Sequence, residues 1–175
     1  MKAGRHPIYL LVSSALLLIF FLPACSPKRE QTQKAQESQV APEWRLHELD
    51  GQSIDLASFR GKAVVINVWA TWCKPCILEM PTFARAMKEM KSQPVVFLFA
   101  SNEEPDLIRK FAEKNTYDFH YVHLENLEEL GIQALPTTFI FSPQGKLSFK
   151  ESGFRTWDDP KNLELIQTIM KDHEE

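Results

Sequence analysis

The stretch Val68-Trp69-Ala70-Thr71-Trp72-Cys73-Lys74-Pro75-Cys76-Ile77-Leu78-Glu79-Met80-Pro81 decides how the chain folds, because two periodicities meet in it. On its N-terminal side, Ala63-Val64-Val65-Ile66-Asn67-Val68-Trp69 is almost continuously β-branched or apolar, the pattern of a strand covered on both faces. On its C-terminal side, Ile77, Met80, Phe83, Ala84, Met87 and Met90 recur at spacings of three and four, which puts them on one face of a helix. The methionines there read as adaptable core filler rather than metal ligands. Cys73-Lys74-Pro75-Cys76 therefore sits where a buried strand ends and a helix begins. Pro75 suits a first turn, whose N–H groups have no helical partner. Pro81 falls inside the helix, cannot donate to the carbonyl of Ile77, and is expected to kink it.

Outward from this join, Val95-Val96-Phe97-Leu98-Phe99-Ala100 reads as a second buried strand, and a helix after Asn102 presents Leu107, Ile108, Phe111 and Ala112. Upstream, Trp44-Arg45-Leu46 reads as a first strand, Asp50-Gly51 as a turn and Ser53-Ile54 as a short return strand. Downstream, residues 137–141 and 146–150 flank Ser142-Pro143-Gln144-Gly145, a hairpin with a four-residue connection. Asp159-Pro160 supplies a cap and a first-turn proline for a last helix lined by Leu163, Ile166, Ile169 and Met170. Alternating strands and helices imply right-handed parallel crossovers, and the final hairpin adds antiparallel strands. The expected fold is α/β, with a mixed central sheet, helices on both faces and an N-terminal β-hairpin.

The chain has 175 residues, 44% hydrophobic and 25% charged, enough for one domain with a real core. A net charge of -3 without a long basic run argues against a nucleic-acid partner. Lys2 and Arg5 precede residues 8–22, which carry no charge. That run is short of the roughly 20 residues of a membrane span and fits the apolar part of an export signal. Leu22-Pro23-Ala24-Cys25 resembles a lipoprotein cleavage box in which Cys25 is acylated, although Pro23 occupies a position that usually holds a small residue. Residues 26–41, SPKREQTQKAQESQVA, lack apolar periodicity and read as a tether. The expected organisation is a signal peptide over 1–24, a lipid-attachment cysteine and tether over 25–42, and a folded domain over 43–173. The domain would be membrane-anchored outside the cytoplasm, on the periplasmic side or the cell surface. An ordinary cleaved signal, or an uncleaved anchor, would put it on the same side.

With Cys25 lipidated, the other two of the three cysteines form one local pair, which is not the disulfide framework of a small secreted scaffold. Disulfide exchange needs a thiolate, and a free thiol titrates near 8.5. The unpaired N–H groups and positive dipole end of a helix N-terminus stabilise that anion, and Lys74 adds a nearby positive charge. A purely structural disulfide across so short a loop gains little. Half of a zinc site would need further ligands; His120 and His123 stand three apart on an apparent strand and would face opposite ways. The peroxidase pattern Pro-x-x-x-Thr-x-x-Cys is absent before Cys73. Glu79 lies three residues after Cys76 on the same helical face. A carboxylate there raises a thiol's pKa and can accept its proton, while the plainer reading is a solvated helix glutamate. Trp69 and Trp72 either shape this site or, for Trp69, pack the core.

The quoted stretch resembles the active-site segment of the extracytoplasmic, membrane-associated thioredoxin-like thiol–disulfide oxidoreductases, the TlpA/ResA-like family often grouped with cytochrome c maturation thioredoxins. Leu49-Asp50-Gly51 and Phe59-Arg60-Gly61-Lys62 resemble its N-terminal hairpin and lead-in, and Leu135-Pro136-Thr137-Thr138-Phe139 resembles its cis-proline loop. The likeness runs over residues 44–170. It implies a thioredoxin-like fold and a redox-active Cys73–Cys76 disulfide, with Cys73 the exposed nucleophile and Cys76 the resolving thiol. It also implies that Glu79 tunes the site and that Trp72, Leu135 and a cis Pro136 meet the substrate. Asn67 stands where cytoplasmic thioredoxins carry a proton-shuttling aspartate, which moves that duty toward Glu79. No cofactor or metal is implied. The implied partners are disulfide-containing exported proteins, with apocytochrome c as the suggested substrate class, and a membrane thiol carrier as electron donor. Pro75 resembles the reducing members more than the oxidising ones. A thiol oxidase or isomerase on the same cysteines, and a tethered metal-binding chaperone, are the alternatives.

Overall fold

The computed structural model describes residues 43–171; the expected signal segment, Cys25 and the tether lie outside them. The strands are β1 (Leu46–Glu48), β2 (Ser53–Ile54), β3 (Ala63–Val68), β4 (Val95–Ser101), β5 (His120–Leu124), β6 (Thr137–Phe141) and β7 (Leu147–Ser152). The helices are α1 (Lys74–Glu89), α2 (Pro105–Lys114) and α3 (Pro160–Met170), with a 3-10 turn at Leu56–Phe59. The sheet order is β2-β1-β5-β4-β3-β6-β7. β3, β4 and β5 are parallel, joined through α1 and α2, and antiparallel pairs flank them on both sides. The expected mixed sheet, parallel crossovers and N-terminal hairpin are all present.

Every residue of β3 is buried, as its nearly continuous apolar run implies, the polar Asn67 included. Strand alternation sends Val65, Trp69 and the Asn67 amide to one face and Val64, Ile66 and Val68 to the other. The first face is covered by Met80 and Phe83 of α1, Ile108 of α2 and Ile166 of α3. The second is covered by Trp44, by Leu56 and Phe59 of the 3-10 turn, and by Leu127, Leu130 and Ile132 between β5 and β6. Helical cover is unequal on the two faces: the buried side chains of the three α-helices meet in one cluster, and the 3-10 helix with turn structure closes the other. A cavity of about 490 Å³ remains on that second side, lined by Trp44, Leu56, Phe59, Val64 and Phe141 among others.

β1 begins at Leu46 rather than Trp44. Trp44 instead packs edge-on against Phe139 and Phe141 at centroid distances of 4.8 and 5.8 Å, where its ring is partly removed from water. α1 contains Pro81 and buries Cys76, Glu79, Met80, Thr82, Phe83 and Ala86, while Ala84 and Met87 stay half-exposed. The β6–β7 turn needs a left-handed residue, supplied by Gly145 at φ +75°. No described helix is long and apolar enough to cross a membrane.

Candidate active site

Parallel strands end together, and the crevice beyond their carboxyl ends is where α/β sheets place chemistry. The loop leaving β3 is held there by its own backbone and by β4. Trp69 N–H donates to Ala100 O at 3.0 Å and Cys73 N–H to Ala70 O at 3.0 Å. Glu103, just past β4, accepts from both the N–H and the hydroxyl of Thr71, at 2.6 and 2.7 Å, and from the Ser101 hydroxyl at 3.2 Å. Sequence alone does not single out Glu103. Its only signal was position, directly after a strand that ends beside the cysteine loop. Glu103→Ala leaves two Thr71 donors unpaired and is expected to cost about 1–3 kcal/mol in urea unfolding, with Glu103→Gln costing less.

Cys73 is the N-cap of α1 and is disulfide-bonded to Cys76, with Cα atoms 5.3 Å apart. Its Sγ also accepts the Cys76 N–H at 3.3 Å, so the sulfur occupies the position where a capping oxygen would sit. Cys73 is 4% exposed and Cys76 1%. Cys73, expected to be exposed, is thus nearly covered in this disulfide-bonded state. Lys74 is exposed beside it. Trp72 is 73% exposed, whereas Trp69 is fully buried against Phe111 and Tyr121 and belongs to the core.

β6 runs antiparallel to β3 with Thr137 opposite Val68, which sets the preceding residues beside the cysteine loop. The Leu135–Pro136 peptide there is cis; Pro136 is buried and Leu135 half-buried. Residues 153–157 then form a strap between β7 and α3. Gly153 N–H donates to Pro136 O at 2.7 Å, and Trp157 N–H donates to the Thr82 hydroxyl at 3.0 Å.

The strap's other contacts converge on Glu79, which has no solvent exposure at all. Glu79 Oε1 accepts from Arg155 N–H at 2.9 Å and from the Trp157 indole N–H at 2.8 Å. Glu79 Oε2 accepts from Asn67 Nδ2 at 3.1 Å, and the same amide donates to the Thr138 hydroxyl at 3.0 Å. The solvated-glutamate reading is overturned. Burial pushes this carboxyl up from 4.5 to about 7, opposed by the hydrogen bonds from Trp157, Arg155 and Asn67 and by the Arg155 charge. A carboxyl balanced near neutrality, three residues from Cys76, is suited to exchanging a thiol's proton. Sequence alone showed the helical face but not Trp157 or Arg155, which come from residues more than seventy positions away.

His120 pairs with Glu48, and His123 lies beside His47 at 6.2 Å between rings. Among the described residues, no group of three or more His, Cys, Asp or Glu side chains is placed to hold a metal. Trp72, Leu78 and Phe154 stand 73%, 59% and 52% exposed on the cysteine loop, the first turns of α1 and the strap respectively.

Comparison with known proteins agrees with this geometry. The AhpC/TSA family profile matches residues 38–150. The thiol-disulfide oxidoreductase ResA of Geobacillus thermodenitrificans is 37% identical over 133 residues, covering 73% of this chain and 76% of its own length. The thioredoxin-like protein YneN of Bacillus subtilis is 39% identical over 119 residues, covering 63% and 68%. In structure, a thiol:disulfide interchange protein of the thioredoxin family from Chlorobium tepidum superposes with a TM-score of 0.59 at 24% identity, over 72% of this chain and 94% of that one, which speaks to the fold. The chain belongs to the AhpC/TSA family, within its thioredoxin-like, TlpA/ResA-like group of thiol–disulfide oxidoreductases.

Proposed function

We propose that this oxidoreductase works outside the cytoplasm as a reductase of disulfides in exported proteins, tethered to a membrane through Cys25. The observation that carries the exchange chemistry is the Cys73–Cys76 pair at the start of α1 with the buried Glu79 behind it. In the reducing direction, the Cys73 thiolate attacks one sulfur of a substrate disulfide and expels the other as a thiolate. Cys76 loses its proton to the Glu79 carboxylate and attacks Cys73 Sγ. The bond between Cys73 and the substrate breaks, and the Cys73–Cys76 disulfide forms. The substrate has gained two electrons, and the proton on Glu79 can pass to the departing thiolate. A membrane thiol carrier then returns two electrons to the pair.

The exposed apolar side chains of Trp72, Leu78 and Phe154, on the segments that build the site, favour a protein substrate. Pro75 resembles the reducing members of the family more than the oxidising ones, and family likeness suggests apocytochrome c as the substrate class. The export-signal pattern before residue 25 supports the location. The test is the full chain carrying Cys76→Ser, expressed in an exporting host. Mixed disulfides through Cys73 are expected, and mass spectrometry of the trapped partners names the substrate. No trapped partner would sink the proposal. A potential near that of a strong oxidant, about -120 mV rather than the roughly -270 mV typical of thioredoxin, would reverse its direction.

A further inference from the structure

Glu79 is held asymmetrically. Oε1 receives two donors, the Arg155 backbone N–H and the Trp157 indole N–H, whereas Oε2 receives one, from Asn67. Both Oε1 donors are fixed. The indole is 1% exposed and stacked on Phe83 at 4.9 Å, and the strap is anchored at Gly153 and again at Trp157 N–H. Neither N–H can turn into an acceptor. The Oε2 side differs. A side-chain amide presents a donor at one end and an acceptor at the other, and a threonine hydroxyl can play either part. If the Asn67 amide rotates by half a turn, its oxygen faces Oε2 and can accept a proton carried there. The Thr138 hydroxyl, now an acceptor from Nδ2, can then donate to that same oxygen.

We infer that Trp157 is a positioning residue that reserves Oε1 as a permanent acceptor, so that Glu79 takes up and releases its proton on Oε2, with the Asn67 amide and the Thr138 hydroxyl reversing direction as it does. This rests on Glu79 being the proton-exchanging group of the site. The facing groups are few. β3 contributes Asn67, with Thr138 of β6 behind it, the strap contributes Arg155 and Trp157, and on α1 Cys76 stands three residues earlier on the same helical face. Arg155 is the charged one; its guanidinium is itself occupied by Glu151 of β7 and Asn162 of α3. The titration of Glu79 is therefore read with little interference from other ionising neighbours.

The experiment is NMR titration of the oxidised full chain, in which no thiol titrates at the site. The Glu79 carboxyl carbon, the Trp157 indole N–H and the Asn67 side-chain amide are expected to shift with one common midpoint near neutrality. The Asn67 amide is expected to change most, since its partners exchange roles. In Trp157→Phe, which keeps a ring against Phe83, the Glu79 midpoint is expected to rise by about one unit, a tenfold gain in proton affinity. An indole N–H that ignores the Glu79 titration, or an Asn67 amide that does not follow it, overturns the inference from the wild-type protein alone. A Trp157→Phe midpoint that stays in place overturns it too. The measurement uses no substrate, so it can fail while disulfide exchange persists, and exchange can fail while it succeeds.

Discussion

Glu79→Gln is expected to make the oxidised protein more stable at pH 8 by as much as about 3 kcal/mol while slowing exchange by about 10²–10⁴-fold at pH 7. The sign follows from where the carboxyl titrates. Folded, it is held at about 7; unfolded, it returns to 4.5. Between those values the native state keeps a proton that the unfolded chain has released. Wild-type stability therefore falls as pH rises from about 4.5 to 7 and is level beyond, the whole change being about 3 kcal/mol. Glutamine has no proton to lose, so the variant should lack that slope and match wild type near pH 4.5. Its carbonyl can take the place of Oε1 between Arg155 N–H and the Trp157 indole, and its amide group can face an Asn67 turned to present oxygen. Urea unfolding at pH 5 and pH 8 reads the first effect, and a pH–rate profile the second, through loss of the inflection near neutrality. A wild-type protein whose stability is flat over that range would contradict the burial argument.

Cys73→Ser is expected to abolish exchange down to the uncatalysed background and yet to fold. Serine is among the best N-caps, and its oxygen can accept the Cys76 N–H that Cys73 Sγ now accepts. The loss of a short-loop disulfide costs about 2 kcal/mol by chain entropy. Cys76, inside the first turn of α1 behind the N-cap position, is the resolving thiol of the proposed cycle and is not expected to take over the attack on substrate. Reduction of a disulfide peptide by the variant, alongside its thermal unfolding, separates lost chemistry from lost fold. Residual turnover above background would move the nucleophile away from Cys73.

The fold was legible wherever one residue pattern dictated one structure. The run of β3, apolar but for Asn67, reads as a strand buried on both sides, and Asp159-Pro160 marked the start of α3 to the residue: Asp159 is its N-cap, bonded to Lys161 N–H. The cysteine pair was legible for the same local reason. What could not be read was anything fixed by distant partners. Trp44 looked like strand because it is aromatic and follows a polar tether, but Phe139 and Phe141, far along the chain, give its ring a better place off the ladder. The detail of the second face was not legible, because the 3-10 helix and turns that close it are too brief for helical periodicity to show. Glu79 could be assigned to the face of Cys76 by counting, but its burial depends on the strap. Nothing in residues 153–157 announces that two of their N–H groups meet a carboxylate in α1.

The uneven cover of the sheet separates what can vary from what cannot. The face carrying the disulfide, Glu79 and the strap is closed by three helices whose side chains interlock, so a change of length in any of them would be felt at the sulfurs. The opposite face is closed by a 3-10 turn and a run of turns around a cavity. Insertions ahead of β3, or in the turns soon after β5 and well before the Leu135–Pro136 loop, can therefore accumulate without disturbing the redox pair. Lineages that need a new docking arm or a longer connection have one side of the molecule on which to build it, and protein engineers have the same permission.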